Sequence, residues 1–373
     1  MAPNDSTSYL DYNATTPVLP EAAQAVAASL SLFGNPSSVH AAGRRARAAV
    51  EEAREAVAAA MNAAAQHVVF TGSGTEANAL ALRGLAAANR CTAALSAGIE
   101  HPSVLAHVAD EHIPVDAHGV IDLAALERAL GSRAAPVLVT LMLANNETGV
   151  LQPVAQAVEL ARKYGALIHI DAVQALGKVP VDFRALGADS MSFSAHKIGG
   201  LKGVGALVLR PGVEIAADIP GGGQERRRRA GTEHVSGIAA FGAAARGVPT
   251  LLSAAPRITA LRDELEMQIQ SGVPQARIFG AAVARLGNTA CIALPGVSSE
   301  TQVMRLDLAG VAVSAGSACS SGKIAPSPVL LAMGVGESTA KTAIRVSLGW
   351  DTTAADVDRF LKVWLPLAAN AAA

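Results

Sequence analysis

Aromatic residues are scarce in this 373-residue chain: Phe, Trp and Tyr together make 3% of it, with two tryptophans and three tyrosines. Its helices are therefore expected to pack through small side chains, chiefly alanine, whose cost in a helix is the lowest of any residue. An excess of either charge is missing too. Lys and Arg number 30 against 31 Asp and Glu, a net charge of −1, so no global field draws in nucleic acid or an anionic membrane. Cysteine is rare: Cys91, Cys291 and Cys319 form an odd set without paired spacing. That argues against a disulfide framework and for a reducing compartment. The longest strongly apolar run, Ala134 to Ala144, falls short of the ~20 residues that cross a bilayer. Met1 to Asp11 is polar and acidic, unlike a secretory signal. No histidine stands at metal-ligand spacing from a cysteine. These absences predict a soluble, cytoplasmic protein with free thiols and no nucleic-acid, membrane or metal partner.

What is present is enough apolar residue, 51% of the chain, for a large core, and at this length two domains are expected. Val39 to Met61 reads as a long helix with Arg44, Arg45, Arg47, Glu51, Glu52, Arg54 and Glu55 on its wet face. His67 to Phe70 reads as a strand, followed by the glycine loop T-G-S-G-T-E at Thr71 to Glu76 and a helix through Leu85. Further strands are predicted at Pro136 to Leu143, Leu167 to Ile170, Ser190 to Ser194 and Gly205 to Leu209, with helical stretches such as Val154 to Tyr164 between them. This α/β alternation predicts a mostly parallel sheet wrapped by helices. Past Ala255 the texture changes to an amphipathic helix at Ile258 to Ile269 and strands at Thr289 to Leu294 and Ala343 to Leu348. We place a large domain at residues 16–254 and a smaller α+β domain at residues 1–15 with 255–373.

In such sheets ligands gather at the carboxyl ends of strands, and polar clusters stand there. Gly72 to Thr75 offers backbone N–H groups at a helix start, which suits a phosphate and equally an ordinary tight turn. It has neither the Walker nor the dinucleotide-binding spacing. Asn145 to Gly149 (N-N-E-T-G) and Asp171 to Gln174 (D-A-V-Q) follow two strands. Asp171 at the sheet rim, partly desolvated, calls for a cationic partner, a helix cap or a salt bridge. Ser194, His196 and Lys197 close the next strand, 197 − 171 = 26 residues on. A lysine at a strand end, beside a phosphate loop and an acid, fits a pyridoxal phosphate site. Far downstream, Cys319 lies among small residues in S-A-G-S-A-C-S-S-G, open to act as a nucleophile. Cys91 and Cys291 sit in helix-like and strand-like apolar contexts and read as small buried hydrophobes.

Taken together, these stretches resemble the cysteine desulfurases of the NifS/IscS type, in the class V aminotransferase family. The resemblance is carried by N-A-T-T-P at Asn13 to Pro17, N-P-S-S-V-H at Asn35 to His40, T-G-S-G-T-E-A-N at Thr71 to Asn78, and E-H-P-S-V at Glu100 to Val104. It runs on through N-N-E-T-G, D-A-V-Q, S-F-S-A-H-K, G-G-G-Q-E-R at Gly221 to Arg226, R-R-A-G-T-E at Arg228 to Glu233, the Cys319 segment and I-R-V-S-L-G at Ile344 to Gly349. It implies an α/β PLP-dependent transferase of fold type I, usually a homodimer, with pyridoxal 5'-phosphate as cofactor. It also implies roles. Lys197 matches the Schiff-base lysine, Asp171 the partner of the pyridine nitrogen and His101 the imidazole stacked on the ring. Gln174 and Asn146 match groups near the ring hydroxyl. Gly74, Thr75, Ser194 and His196 match the phosphate site, with Thr232 reaching in from the neighbouring subunit. Arg345 matches the clamp on the substrate carboxylate, Asn146 and Asn35 flank the substrate, and Cys319 matches the persulfide-forming cysteine.

The implied reaction converts L-cysteine to L-alanine and passes sulfur to Cys319, for an iron-sulfur scaffold or another sulfur acceptor. Two features depart from the family: Leu201 stands where relatives often carry proline, and only 373 − 349 = 24 residues follow Gly349, where housekeeping relatives carry a longer scaffold-docking tail. A selenocysteine lyase or another class V enzyme on the same fold is the alternative within enzymes, distinguished by its lack of need for Cys319. A non-catalytic binding subunit that keeps only the fold is the alternative of another class.

Overall fold

A computed structural model describes residues 7–108, 112–134, 136–316 and 326–371. The chain opens with β1 (Ser8–Tyr9), α1 (Pro20–Ser29) and α2 (Ala41–Ala60), then β2 (Val68–Thr71), α3 (Gly74–Asn89), β3 (Ala93–Ala97), α4 (Pro102–Leu105) and β4 (His112–Ile113). Next come α5 (Leu123–Gly131), β5 (Val137–Met142), α6 (Val154–Lys163), β6 (Leu167–Asp171), α7 (Phe183–Leu186), β7 (Ser190–Ser194) and β8 (Gly205–Leu209). The last third holds α8 (Val235–Arg246), α9 (Val248–Gly272), β9 (Arg277–Phe279), β10 (Thr289–Ala293), α10 (Ser299–Leu308), β11 (Val311–Ala312) and β12 (Ser314–Ala315). It ends with α11 (Pro328–Ala332), α12 (Glu337–Ala340), β13 (Ala343–Ser347) and α13 (Ala354–Ala371).

Seven strands form the main sheet in the order β2-β8-β7-β6-β5-β3-β4. All its neighbours are parallel except those of β8, which runs against both β7 and β2. Every residue of β5, β7 and β8 is buried, as a sheet covered by helices on both faces requires. The expected strands fall where the sequence places them, to within a residue or two. The predicted helix at Val39 to Met61 is α2, capped by His40 Nδ1 accepting from Gly43 N at 3.2 Å. Alanine does permit close helix packing: a Cβ on Gly242 of α8 would meet Ala53 Cα of α2 at 2.6 Å.

A second sheet, β12-β13-β10-β9, is antiparallel, and β1 pairs with β11 beside it. Its core gathers Leu10 with Leu265, Ile292, Val346, Phe360 and Trp364. The few aromatics are placed where they do most: Phe360 and Trp364 stack one helical turn apart with centroids at 6.1 Å. The Trp364 indole N–H is satisfied by Gln302 Oε1 at 2.9 Å. The boundary drawn at Ala254 lies inside α9, which continues through Pro256 without a break. No single described helix is long and apolar enough to cross a membrane. The joined pair α8 and α9 reaches that composition only across a 55° bend.

One glycine decides how tightly the sheet seats the loop after β2. Gly205 opens β8 between Thr71 and Ser194, and a Cβ there would lie 2.4 Å from the carbonyl carbon and oxygen of Ser73. Backbone cannot yield as a side chain tip can, so Gly205→Ala overpacks the joint. The expected cost is about 1–3 kcal/mol, read as a lower denaturation midpoint; a midpoint unchanged from the parent would show the loop to be looser than described.

Candidate active site

Five strands of the main sheet release their chains at the same end, and each delivers a polar group to one cavity of about 570 Å³. After β2 the chain turns at Gly72 and Ser73 into α3. Ser73 caps that helix by accepting from Glu76 N at 3.1 Å, while Glu76 Oε2 accepts from Gly72 N at 2.7 Å. The first N–H groups of α3, at Gly74 and Thr75, border the cavity, where the helix dipole favours an anion. A Cβ on Gly74 would press on Val173 Cγ2 at 3.0 Å and Ser194 Cβ at 3.3 Å, so glycine lets the helix start sit close against these two residues of the cavity wall.

Asp171 ends β6 and is 6% exposed. Its Oδ2 accepts from Asn78 Nδ2 at 2.8 Å and its Oδ1 from Val173 N at 3.0 Å. The bonding pattern assigns the Asn78 amide: its nitrogen also donates to Ser103 Oγ at 2.9 Å, and its oxygen accepts from Ser192 Oγ and faces His169 Nε2 at 3.1 Å. Ser103 in turn contacts His101 Nδ1 through Oγ at 2.7 Å and donates its backbone N–H to the same nitrogen at 3.1 Å. The His101 proton therefore resides on Nε2. Burial lowers the pKa of His101, with Asp171 working against this and Lys197 with it. His169 lies beneath, buried on the strand before Asp171, and burial holds it neutral with a pKa of about 3. Asp171 is thus a desolvated carboxylate met by neutral donors, with no ion pair to it among the described residues.

Lys197 closes the 3₁₀ turn Ala195–Lys197 after β7. Its Nζ donates to the carbonyls of Asn13 and Ala14, the latter at 2.9 Å. Asn13 also receives Gln174 Nε2 on its carbonyl at 2.9 Å and Lys178 Nζ on Oδ1 at 2.7 Å. Lys178 holds Gln174 Oε1 at 2.6 Å as well, and burial, with Lys197 and Arg345 nearby, pushes its amine well below the ordinary lysine value. His196 meets Thr15 Oγ1 at 3.1 Å and is lowered to about 4 by burial, then by Lys197 and Lys202. After β5, Asn145 builds the N-N-E-T-G turn by accepting from Glu147 N and Thr148 N, both at 2.9 Å. Burial raises two carboxyls of the cavity wall: Glu100 to about 8, which keeps it protonated at neutrality, and Glu147 to about 7, which leaves it half protonated there.

Of the residues singled out from sequence, Lys197, Asp171, His101, Gln174, Asn146, Gly74, Thr75, Ser194, His196 and Arg345 all border this cavity. Asn35 does not: it is exposed between α1 and α2, with Oδ1 accepting from Ser37 N at 2.8 Å. Thr232 is also exposed and outside the wall. Cys319 lies outside the described residues, but Gly316 and Pro326, which flank them, both border the cavity. Cys291 is fully buried in β10 and burial raises its thiol pKa. Cys91 falls just beyond α3, after Arg90 turns left-handed with φ 53°, and is half-buried rather than helical. Asn78, Asn13, Lys178, Glu100 and Glu147 carry the site's hydrogen bonds and proton positions, yet received no role from sequence. All stand within or beside the quoted motifs, and a polar residue repeatedly embedded in apolar pattern was the available signal.

The donor set suits a pyridoxal phosphate: a helix N-terminus with a glycine for phosphate, a buried carboxylate with no ion pair among the described residues, and a lysine on the same cavity. The profile of the family Aminotransferase class-V matches residues 8–360. A cysteine desulfurase of Cereibacter sphaeroides is 46% identical over 96% of this chain and 95% of its own. The X-ray structure of a NifS-like protein from Rickettsia africae superposes with a TM-score of 0.89 at 34% identity, covering 97% of this chain and 99% of its own. A structure of SspA in complex with cysteine matches at TM-score 0.80 and 28% identity over 93% of this chain and 100% of its own. The fold is that of the NifS-like proteins, and the chain belongs to the class-V aminotransferase family, among its cysteine desulfurases.

Proposed function

We propose that the protein is a pyridoxal-phosphate-dependent cysteine desulfurase that moves sulfur from L-cysteine to its own Cys319 and releases L-alanine, working as a homodimer that serves an iron-sulfur scaffold or other sulfur acceptor. The observation that carries this reading is the convergence of Lys197, Asp171 and His101 with the N-terminus of α3 on one cavity. Gly74, Thr75, Ser194 and His196 would hold the phosphate, joined by Thr232 of a second copy. Asp171 would hold the pyridine nitrogen, Gln174 and Asn146 the ring hydroxyl, and Lys197 the aldehyde carbon. When bound, the cofactor supplies a ring that draws off the electron pair released at the substrate Cα.

The protein's own groups do the rest. Arg345 receives the substrate carboxylate. The Lys197 amine takes the proton from Cα. His101, neutral with its proton on Nε2, exchanges protons at the substrate sulfur. The Cys319 thiolate attacks that sulfur, so the substrate Cβ–S bond breaks as an S–S bond forms on Cys319. L-Cysteine and one thiol thus become L-alanine and one persulfide, with four exchangeable or carbon-bound hydrogens conserved across Cβ and sulfur. Asp171 is held from below by Asn78.

Lys197→Ala is expected to lower turnover at least about a hundredfold and to lose the visible absorption of the bound cofactor; normal turnover would refute the assignment. Cys319→Ala should release no sulfide from L-cysteine, while deuterium exchange at Cα of L-alanine persists, because that step needs Lys197 alone. Sulfide release at the parental rate would instead favour a lyase. Burial lowers the His101 pKa, so the neutral ring survives to lower pH than an exposed histidine. The acid limb of kcat should therefore fall below about 6.5 and disappear in His101→Asn; a limb centred above that value would contradict the role.

A further inference from the structure

Arg345 leaves the middle of β13 and is 4% exposed. Its fork is only partly engaged. Nη1 donates to the Asn146 carbonyl at 3.0 Å and Nη2 to Asp11 Oδ1 at 2.9 Å, whereas Nε, buried, meets no acceptor among the described residues. Arg345 also borders the cavity, so the ion pair with Asp11 stands at the wall of the site.

Asp11 is also held through its other carboxylate oxygen and through its backbone. Its Oδ2 accepts from Ser314 Oγ at 2.8 Å. Its backbone bridges Ser347 of β13, and the next residue's N–H, Tyr12 N, donates to the Ser347 carbonyl at 3.1 Å. The Tyr12 ring lies over Gly349 so closely that a Cβ there would come within 1.8 Å of it, and it packs edge-on to Trp350 at 5.3 Å. The Tyr9 hydroxyl donates to the Asp11 carbonyl at 3.2 Å. The carboxylate is thus held by Ser314 as well as by Arg345, on a backbone that is itself fixed.

We propose that Asp11 is the positioning residue of the substrate clamp: it anchors Arg345 by Nη2 and so holds the guanidinium at the cavity wall for a substrate α-carboxylate. The inference rests on the reading of Arg345 as the carboxylate-binding group. An unanchored arginine carries several rotatable bonds, and ordering them on binding weakens affinity. A buried guanidinium also needs a counter-charge before substrate arrives, and Asp11 supplies it.

The test uses the cofactor-loaded enzyme. In Asp11→Asn, KM for L-cysteine should rise about tenfold with kcat within twofold. Calorimetric Kd for the product L-alanine should rise by a similar factor, and that for L-alaninamide, which lacks the carboxylate, should not change. Ser314→Ala, which frees one oxygen of Asp11 without altering charge, should weaken L-alanine in the same sense by a smaller factor and keeps the test usable if Asp11→Asn fails to fold. Arg345→Gln checks the underlying reading: it should weaken L-alanine more than Asp11→Asn does and spare L-alaninamide. Unchanged or tighter L-alanine binding in Asp11→Asn and Ser314→Ala, with loss in Arg345→Gln, would make Asp11 a competitor or bystander and overturn the inference. Unchanged L-alanine binding in Arg345→Gln would overturn the clamp itself.

Discussion

A carboxylate at the end of β6, taken out of water and met by neutral donors, sets the terms for everything around it. Asp171 keeps its place because Asn78, from the second turn of α3, commits an amide N–H to it and the other to Ser103. Ser103 fixes the ring nitrogen of His101 from the opposite wall, so a single buried amide relates the carboxylate to the imidazole. Each member is satisfied, which is what makes a polar network in a dry interior rigid instead of costly. Among the described residues the Asp171 carboxylate has no ion-pair partner, which leaves it open to a cationic group in the cavity.

The opposite side of the site depends on the N-terminal segment. Asn13 uses its carbonyl for Lys197 and Gln174 and its side chain for Lys178, Asn288, Thr289 and the Asn146 carbonyl. Two residues earlier, Asp11 ties Arg345 to Ser314. Residues from the first and last parts of the chain and from both sheets therefore meet on a short extended stretch with little secondary structure of its own. The order of that stretch comes from Tyr12 over Gly349 and from the pairing of β1 with β11. Amine and guanidinium groups are held apart here by shared acceptors, so three cations coexist in one small volume with one of them, Lys178, driven towards neutrality.

Much of the frame was legible beforehand because local pattern and final environment agree. β7 and β8 run over the very residues predicted, since short apolar runs between turn residues have one economical fate in a covered sheet. The direction of β8 was not legible: an antiparallel strand buried on both faces carries the same apolar run as its parallel neighbours. The boundary at Ala254 follows a change of texture, and α9 crosses it, running from Val248 to Gly272 with Pro256 inside. Cys91 sits in a helix-like apolar context by sequence, but Arg90 adopts a left-handed turn and the helix ends at Asn89, two residues before it. Asn35 carried a family motif and still faces away from the cavity, within a turn it caps for itself.

Residue type and order alone determined the parallel-sheet class, the strand ends where polar groups collect, and the lysine, aspartate and histidine that belong to the site, because each is written into a contiguous motif. The sequence could not say that Asn78 bonds Asp171 across 93 residues, or that Asp11 meets Arg345 across 334. Those pairings exist only once the sheet brings its strand ends together and the N-terminal segment is laid between them. The protonated state of Glu100 and the depressed Lys178 arise the same way, since burial is a property of packing and no single stretch of chain contains it.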